Sequence, residues 1–139
     1  MASAASTTFE DRDDAPKRVI LIVEDEVIIR SVVSEYLRES GFLVIEAANV
    51  AEAVAVLSTQ SHIDLVFSDI TMPGEMDGFA LARWIHERRA GLPILLTSGA
   101  GAVLNAAGPF TSEQFIRKPY LLEEIEDQIR GLLGDQLGD

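Results

Sequence analysis

Four short groups of polar residues, each able to do chemistry, follow apolar runs of the sequence that resemble β-strands. They are, in chain order, Val23-Glu24-Asp25, Ser68-Asp69-Ile70-Thr71-Met72-Pro73, Ser98 and Lys118-Pro119. Side chains at the carboxyl ends of parallel strands converge on one crevice, so three carboxylates, a hydroxyl and a lysine are expected to share a small space. Because neighbouring carboxylates repel one another, the arrangement predicts a divalent cation between them and a chemistry that involves anions.

The elements that would position these groups alternate between strands and helices from residue 18 onward. Strand-like runs, rich in β-branched and other apolar residues, occupy 19–23, 42–45, 63–67, 93–97 and, more weakly, 114–116. The first, third and fourth runs are nearly continuous in apolar residues, which is typical of strands buried on both faces of a parallel sheet.

Helical periodicity appears between the strand-like runs. Apolar residues recur at helical spacing from Ile29 to Leu37, and similar stripes cover 50–57, 79–85 and 122–132. Gly41 is expected to end the first helix, and Asn49 with Glu52 predicts a capping box at the second. A helix between Gly99 and Gly108 is poorly supported, because that stretch is short, rich in alanine and followed by proline.

This alternation predicts an α/β fold of the flavodoxin-like, doubly wound kind. We expect a five-stranded parallel sheet in the order 2-1-3-4-5, with helices on both faces. The expected domain covers 18–134, between a flexible acidic tail at 1–17 and a short tail at 135–139. In the chosen strand order the first and third strands are neighbours, which brings the first and second polar groups together.

Composition excludes several classes of protein. The 139 residues suit one domain, and the net charge of −12 disfavours binding to nucleic acid phosphates or to an acidic membrane surface. The absence of cysteine excludes disulfides and thiolate metal sites. No apolar run is long enough to span a bilayer, and the acidic N-terminus is unlike a signal peptide. We therefore predict a cytoplasmic protein that binds neither nucleic acid nor membrane.

Each candidate residue also has an ordinary structural interpretation. Asp25 could cap a helix that starts at Glu26, but Asp69 on the neighbouring strand makes metal binding the better interpretation. Oxygen-only ligands favour Mg²⁺, which takes only one or two carboxylates and keeps several waters. Lys118 could be a solvated lysine, although its place at a strand end favours a role on a phosphate. Ser98 is equally a hydroxyl donor or a plain turn residue.

In their order along the chain, these groups resemble the receiver domain of bacterial two-component response regulators. The resemblance covers about residues 18–133 and also includes the pair Asp77-Gly78. It implies that Asp69 accepts a phosphoryl group from a histidine kinase or a histidine phosphotransfer protein. It further implies a phosphoacceptor protein, not an enzyme, that assists its own phosphorylation and dephosphorylation.

The resemblance also assigns the remaining roles at the site. Glu24, Asp25 and Asp69 would hold Mg²⁺ together with the backbone carbonyl of Thr71, and Lys118 would pair with the phosphoryl group. The role of the Thr71 carbonyl comes from the family pattern alone.

Two further residues would form the switch that reports phosphorylation. By the same resemblance, Ser98 would move toward the phosphoryl group, and Phe115 matches the aromatic switch position three residues before the lysine. The sequence departs from the common pattern in two places. The segment before Asp77 is one residue longer, through Gly74-Glu75, and Ser98 is followed by Gly99 where alanine is frequent.

The resulting functional hypothesis is a stand-alone receiver that acts as a relay shuttle or as an allosteric binder of an unknown protein target. One alternative is a docking module that is never phosphorylated, since a fold does not determine a function. A less favoured alternative is an aspartyl phosphatase of the haloacid-dehalogenase type. Such an enzyme needs a second acid two residues after the nucleophile, where this sequence has Thr71.

Overall fold

The structure is a computed structural model that describes residues 16–59, 62–72, 74, 76–98 and 114–134. Most of the predicted N-terminal tail (residues 1–15), the predicted tail 135–139 and the poorly supported helix at 99–108 lie outside the described residues. Glu75 of the longer segment before Asp77 lies outside them as well. The domain boundaries at 18 and 134 therefore stay predictions.

Five strands form one parallel sheet in the order β2-β1-β3-β4-β5, which confirms the predicted fold class and topology. The described elements are, in chain order, β1 (Val19–Val23), α1 (Val27–Glu39), β2 (Leu43–Ala47), α2 (Val50–Thr59), β3 (Leu65–Asp69), α3 (Gly78–Arg88), β4 (Ile94–Ser98), β5 (Phe115–Arg117) and α4 (Leu122–Leu133). Within the described residues, no helix combines the length and the apolar character needed to cross a membrane.

Four of the strands extend one or two residues further than the apolar runs predicted. Asp69 is the last residue of β3, not the residue after it, and Ser98 is likewise the last residue of β4. β3 starts two residues after the predicted residue 63, and β4 starts one residue after the predicted residue 93. Backbone groups pair in a parallel ladder whatever the side chain is, so the ladder continues past the end of the apolar run.

Each face of the sheet carries its own core. On the first face, α2 and α3 pack on the strands through Val50, Ala53, Leu57, Leu81, Ala82 and Ile85. On the second face, α1 and α4 do so through Val33, Leu37, Ile125 and Ile129. Every residue of β1 and β3 is buried, as their continuous apolar runs predicted, because both strands lie inside the sheet with helices on each side.

The helix ends differ from the prediction at two places. α1 begins at Val27 with Glu26 as its N-cap, so the alternative in which Asp25 caps a helix starting at Glu26 is wrong. At α2, Asn49 Oδ1 accepts the N–H of Glu52 at 2.8 Å as predicted. The return bond to the carboxylate of Glu52 comes from the N–H of Ala48 instead of Asn49.

Candidate functional site

Three carboxylates meet at the carboxyl edge of the sheet. Glu24 and Asp25 directly follow β1, and Asp69 ends β3; the two strands are paired, with Val23 opposite Ser68. One carboxylate oxygen from each of the three acids lies within 4.8 Å of the others. Glu24 and Asp69 are buried, while Asp25 is exposed. The parallel register therefore brings three acids from two strand ends into one cluster that is open to solvent on one side.

Glu24 is held through both its backbone and its side chain. Its N–H donates to the carbonyl of Ala47 on the neighbouring strand end, and its Oε2 accepts the N–H of Glu26 at 3.0 Å. Burial raises the pKa of Glu24 above its ordinary value of 4.5, and the charges of Asp69 and Asp25 raise it further. The hydrogen bond from Glu26 and the charge of Lys118 oppose this rise. The cluster thus disfavours the ionised form of its own most buried acid.

Lys118 reaches the cluster from the end of β5. Its Nζ donates to Asp69 Oδ2 at 3.0 Å, and its own N–H donates to the carbonyl of Ser98. Burial lowers the pKa of Lys118, but the hydrogen bond and charge of Asp69 and the charge of Glu24 more than offset this, so the net pKa is raised. The lysine is therefore held as a cation beside the acids.

The other predicted site residues lie around this cluster. The N–H of Thr71 donates to Asp69 Oδ1 at 3.3 Å. The role of its backbone carbonyl as a ligand of Mg²⁺ stays a prediction. Ser98 is half-buried at the end of β4, one residue beyond Thr97, which pairs with Asp69.

Phe115 begins β5 and lies opposite Leu96. Leu96 and Ser98 are two residues apart on β4 and therefore share a face of the sheet. Phe115, as the neighbour of Leu96 on β5, lies on that face too. The ring of Phe115 is half-buried and lies 6.2 Å from the ring of Phe79 on α3. The two predicted switch residues are thus on one face, and the aromatic one contacts a neighbouring helix.

Gly78, the first residue of α3, lies directly against the backbone of Asp69. A Cβ placed on Gly78 would meet the carbonyl oxygen of Asp69 at 2.4 Å and the Cα of Ile70 at 2.7 Å. The N–H of Gly78 donates to the carbonyl of Ile70 at 2.8 Å. The sequence showed Asp77-Gly78 only as part of a motif; this close approach is the physical reason for a glycine there.

Two neighbours of the site were missed by the sequence reasoning. Arg30 on α1 donates from Nη1 to the carbonyl of Glu24 at 2.7 Å. Tyr120 packs its ring edge-on against Phe67 at 6.3 Å, and burial raises its pKa above 10.0. Nothing in the helical spacing marks Arg30, because it lies beside the apolar stripe, and Tyr120 follows a proline in a loop.

An acid cluster with one lysine, set at the carboxyl edge of a doubly wound sheet, defines a class of protein that handles a phosphoryl group on a carboxylate. The family model of the response regulator receiver domain matches residues 20–130, and the chain belongs to this family. Receiver domains are the phosphoacceptor switches of two-component systems. They bind Mg²⁺ at the acidic pocket and interact with histidine kinases or phosphotransfer proteins.

Among curated proteins, the chain is similar to the transcriptional regulatory protein ResD of Bacillus subtilis. The two are 32% identical over 123 residues, which is 87% of this chain and 50% of ResD. It is also 29% identical to the probable transcriptional regulatory protein TcrX of Mycobacterium tuberculosis, over 88% of this chain and 52% of TcrX. The chain therefore spans about half the length of these curated relatives.

Solved structures show the same fold. A response regulator receiver protein from Sinorhizobium medicae is 28% identical, with a TM-score of 0.78, 85% of this chain covered and 95% of that chain. The receiver domain of the hybrid histidine kinase CckA is 33% identical, with a TM-score of 0.65 and 83% and 98% covered. The response regulator TrrA of Thermotoga maritima, solved in complex with Mg²⁺-BeF, is 27% identical, with a TM-score of 0.72 and 83% and 98% covered.

Proposed function

We propose that Asp69 is the phosphoacceptor of this receiver and takes its phosphoryl group from the phosphohistidine of a histidine kinase or a histidine phosphotransfer protein. The observation that carries this proposal is the cluster itself. Asp69 lies within 4.8 Å of Glu24 and Asp25 through carboxylate oxygens, and Lys118 Nζ lies 3.0 Å from Asp69 Oδ2. One carboxylate thus has acids for a cation on one side and a fixed positive charge on the other.

The residues of the cluster fit Mg²⁺. They offer only oxygen ligands, the exposed Asp25 leaves room for bound waters, and Mg²⁺ prefers such a mixed set. Burial and, to a smaller extent, the charges of Asp69 and Asp25 raise the pKa of Glu24, so a cation among these acids would favour its ionised form. We assign Glu24, Asp25 and Asp69 as the side chains that hold Mg²⁺, with the backbone carbonyl of Thr71. When bound, the cation neutralises charge on the phosphoryl oxygens.

In the proposed transfer, a carboxylate oxygen of Asp69 forms a bond to phosphorus while the bond between phosphorus and the donor imidazole nitrogen breaks. The electron pair of that bond leaves with the imidazole, and the product on Asp69 is an acyl phosphate. The transition state is loose, so the protein contributes position and charge. Lys118 exchanges its contact with Asp69 Oδ2 for one with a phosphoryl oxygen, and the hydroxyl of Ser98 donates to another.

The proposed switch follows from that new charge. Phosphorylation adds negative charge and acceptor oxygens at Asp69, which favours the movement of Ser98 and Lys118 toward them. Phe115 lies on the same face as Ser98, across Leu96, and is only half-buried. Movement of Ser98 frees space that the ring of Phe115 fills, and the protein shifts between two packings of β4 and β5.

An apolar groove beside the site supports a protein as the phosphodonor. The groove has a volume of about 670 Å³. Its lining residues are Ile28, Ile29, Val32, Val33, Lys118, Pro119, Tyr120 and Leu122. Ile28 is 78% exposed and Leu121, next to the groove, is 63% exposed. An exposed apolar patch of this kind is typical of an interaction surface. Because Lys118 belongs both to the groove and to the acid cluster, a partner bound there reaches Asp69.

We further propose that the receiver acts as a relay shuttle or as an allosteric ligand of a separate protein target, and that it is not an enzyme. A haloacid-dehalogenase-type phosphatase is disfavoured because Thr71 stands where its second acid is needed; steady turnover of p-nitrophenyl phosphate would revive it.

The test of the phosphoacceptor uses labelled acetyl phosphate with Mg²⁺. We expect wild-type protein to take up label, Asp69→Asn to take up none, and Asp127→Asn, at an exposed acid on α4, to behave like wild type. An acyl phosphate that forms in Asp69→Asn at the wild-type rate ends the assignment. A wild-type chain that takes up no label under any Mg²⁺ concentration instead favours the docking module that is never phosphorylated.

A further inference from the structure

Arg30 connects α1 to the loop that carries the two acids after β1. Its Nη1 donates to the main-chain carbonyl of Glu24 at 2.7 Å, and its Nε donates to Glu46 Oε1 at 3.1 Å. The side chain of Arg30 is only 17% exposed. The planar guanidinium has donors in a rigid fork, so a single side chain bonds to a carbonyl and to a carboxylate at once.

We propose that Arg30 is a positioning residue for the cation site. This inference rests on the proposed binding of Mg²⁺ by Glu24, Asp25 and Asp69. The carbonyl of Glu24 and the N–H of Asp25 belong to one planar peptide unit. A donor that holds the carbonyl therefore fixes the orientation of the peptide between the two acids, and with it the direction in which the exposed Asp25 leaves the backbone.

The N–H and the carboxylate of Glu24 are held by other groups. Its N–H donates to the carbonyl of Ala47 at 3.0 Å, and its carboxylate accepts the N–H of Glu26. Arg30 adds the hold on the carbonyl, and Glu46 on the edge strand β2 fixes the position of Arg30 in turn. Groups that orient metal ligands through hydrogen bonds affect metal affinity although they do not touch the metal.

Arg38 provides a matched control on the same helix. Its Nη2 donates to Glu46 Oε2 at 3.2 Å and to the carbonyl of Val44, so it binds the same carboxylate as Arg30. It is 50% exposed, and both of these bonds end on β2, away from the acids. Loss of either arginine removes one ion pair with Glu46, but only loss of Arg30 releases the carbonyl of Glu24.

The experiment measures Mg²⁺ affinity by calorimetry, together with urea unfolding in the absence of Mg²⁺. We expect Arg30→Met to weaken Mg²⁺ binding on the order of tenfold, the lower end of the range for such outer-shell partners. Arg38→Met is expected to change the affinity less than twofold, although it loses a similar amount of stability. Arg30→Lys keeps the charge without the fork, and we expect it to weaken binding as well; it replaces Arg30→Met if that variant does not fold.

The outcomes separate this inference from the proposed function. Asp25→Ala serves as the reference for the site and is expected to lose Mg²⁺ binding. If it does, and both Arg30 variants bind like wild type, the positioning role is overturned while the site stands. Equal weakening in Arg30→Met and Arg38→Met also overturns it, because the cause is then the shared ion pair. Unchanged binding in Asp25→Ala overturns the site and the inference together.

Discussion

Lys118 and Asp69 are 49 positions apart in the sequence, yet the ammonium of one donates to the carboxylate of the other at 3.0 Å. The pair closes the site from the side opposite Glu24 and Asp25, because β5 and β1 lie on either side of β3 in the sheet order. Lys118 and a bound cation therefore compete for the carboxylate of Asp69.

We predict that Lys118→Met binds Mg²⁺ several-fold more tightly than wild type but loses the response to phosphorylation. The substitution removes a positive charge that repels the cation across Asp69, and it also removes the group that pairs with the phosphoryl oxygens. Calorimetry measures the affinity. Trp84 lies on α3, the helix whose Phe79 contacts Phe115, so its fluorescence before and after acetyl phosphate reports the response. The control is Lys17→Met, at the other, exposed lysine of the chain. Weaker Mg²⁺ binding in Lys118→Met contradicts the prediction.

Mg²⁺ affinity is predicted to fall as the pH is lowered through a value above 4.5. Because the pKa of Glu24 is raised, a proton competes with the cation at this acid already above the ordinary pKa of a glutamate. Titrations of Mg²⁺ at a series of pH values measure the effect. An affinity that stays constant down to pH 4.5 would show that Glu24 does not take part in binding.

The raised pKa of Glu24 also predicts how the stability of the protein without Mg²⁺ depends on pH. A group whose pKa is raised in the folded state contributes stability below its unfolded pKa, and this contribution is lost as the pH rises through the folded pKa. At pH 7 ionised Glu24 therefore destabilises the metal-free protein. Glu24→Gln is expected to raise the urea midpoint at pH 7 without Mg²⁺ and to weaken Mg²⁺ binding, because it removes the charge of a proposed ligand; a lowered midpoint is the contrary result.

Gly78→Ala is predicted to destabilise the fold by about 1–3 kcal/mol, the usual cost of forcing extra atoms into a packed site. The added methyl group would overlap the carbonyl of Asp69, so labelling by acetyl phosphate should slow as well. Gly131 in α4 is the matched control, because a Cβ there meets nothing within 4 Å. Gly131→Ala should stabilise by about 0.5–1 kcal/mol. Urea unfolding distinguishes the two, and equal effects contradict the role of close packing.

The apolar groove predicts a selective loss in Ile28→Asp. We expect phosphoryl transfer from a histidine kinase or phosphotransfer protein that labels the wild type to slow about tenfold, as loss of an interface anchor does. Labelling by acetyl phosphate should not change, because Ile28 is outside the acid cluster. Leu43→Asp, at another exposed apolar residue on β2 that is 51% exposed, is the control. Equal rates from the protein donor in all three chains would exclude this groove as the docking surface.

Much of the fold followed from periodicity. Continuous apolar runs at β1 and β3 predicted strands buried on both faces, and the helical stripe from Ile29 to Leu37 predicted α1, because burial on one face or on both leaves a repeat in the sequence. Strand ends were less predictable. Asp69 and Ser98 belong to the ladders because backbone pairing does not need an apolar side chain.

The sequence by itself determined the fold class, the membership of a phosphoacceptor family and the set of acids and lysine at the strand ends. These follow from patterns that repeat along the chain and from short groups at fixed places in them. Only the tertiary structure decided that Arg30 holds the carbonyl of Glu24, that Gly78 lies against the backbone of Asp69, and that Lys118 bonds to Asp69. Such contacts join residues from different elements, and they depend on strand register and side-chain direction, which no local pattern encodes.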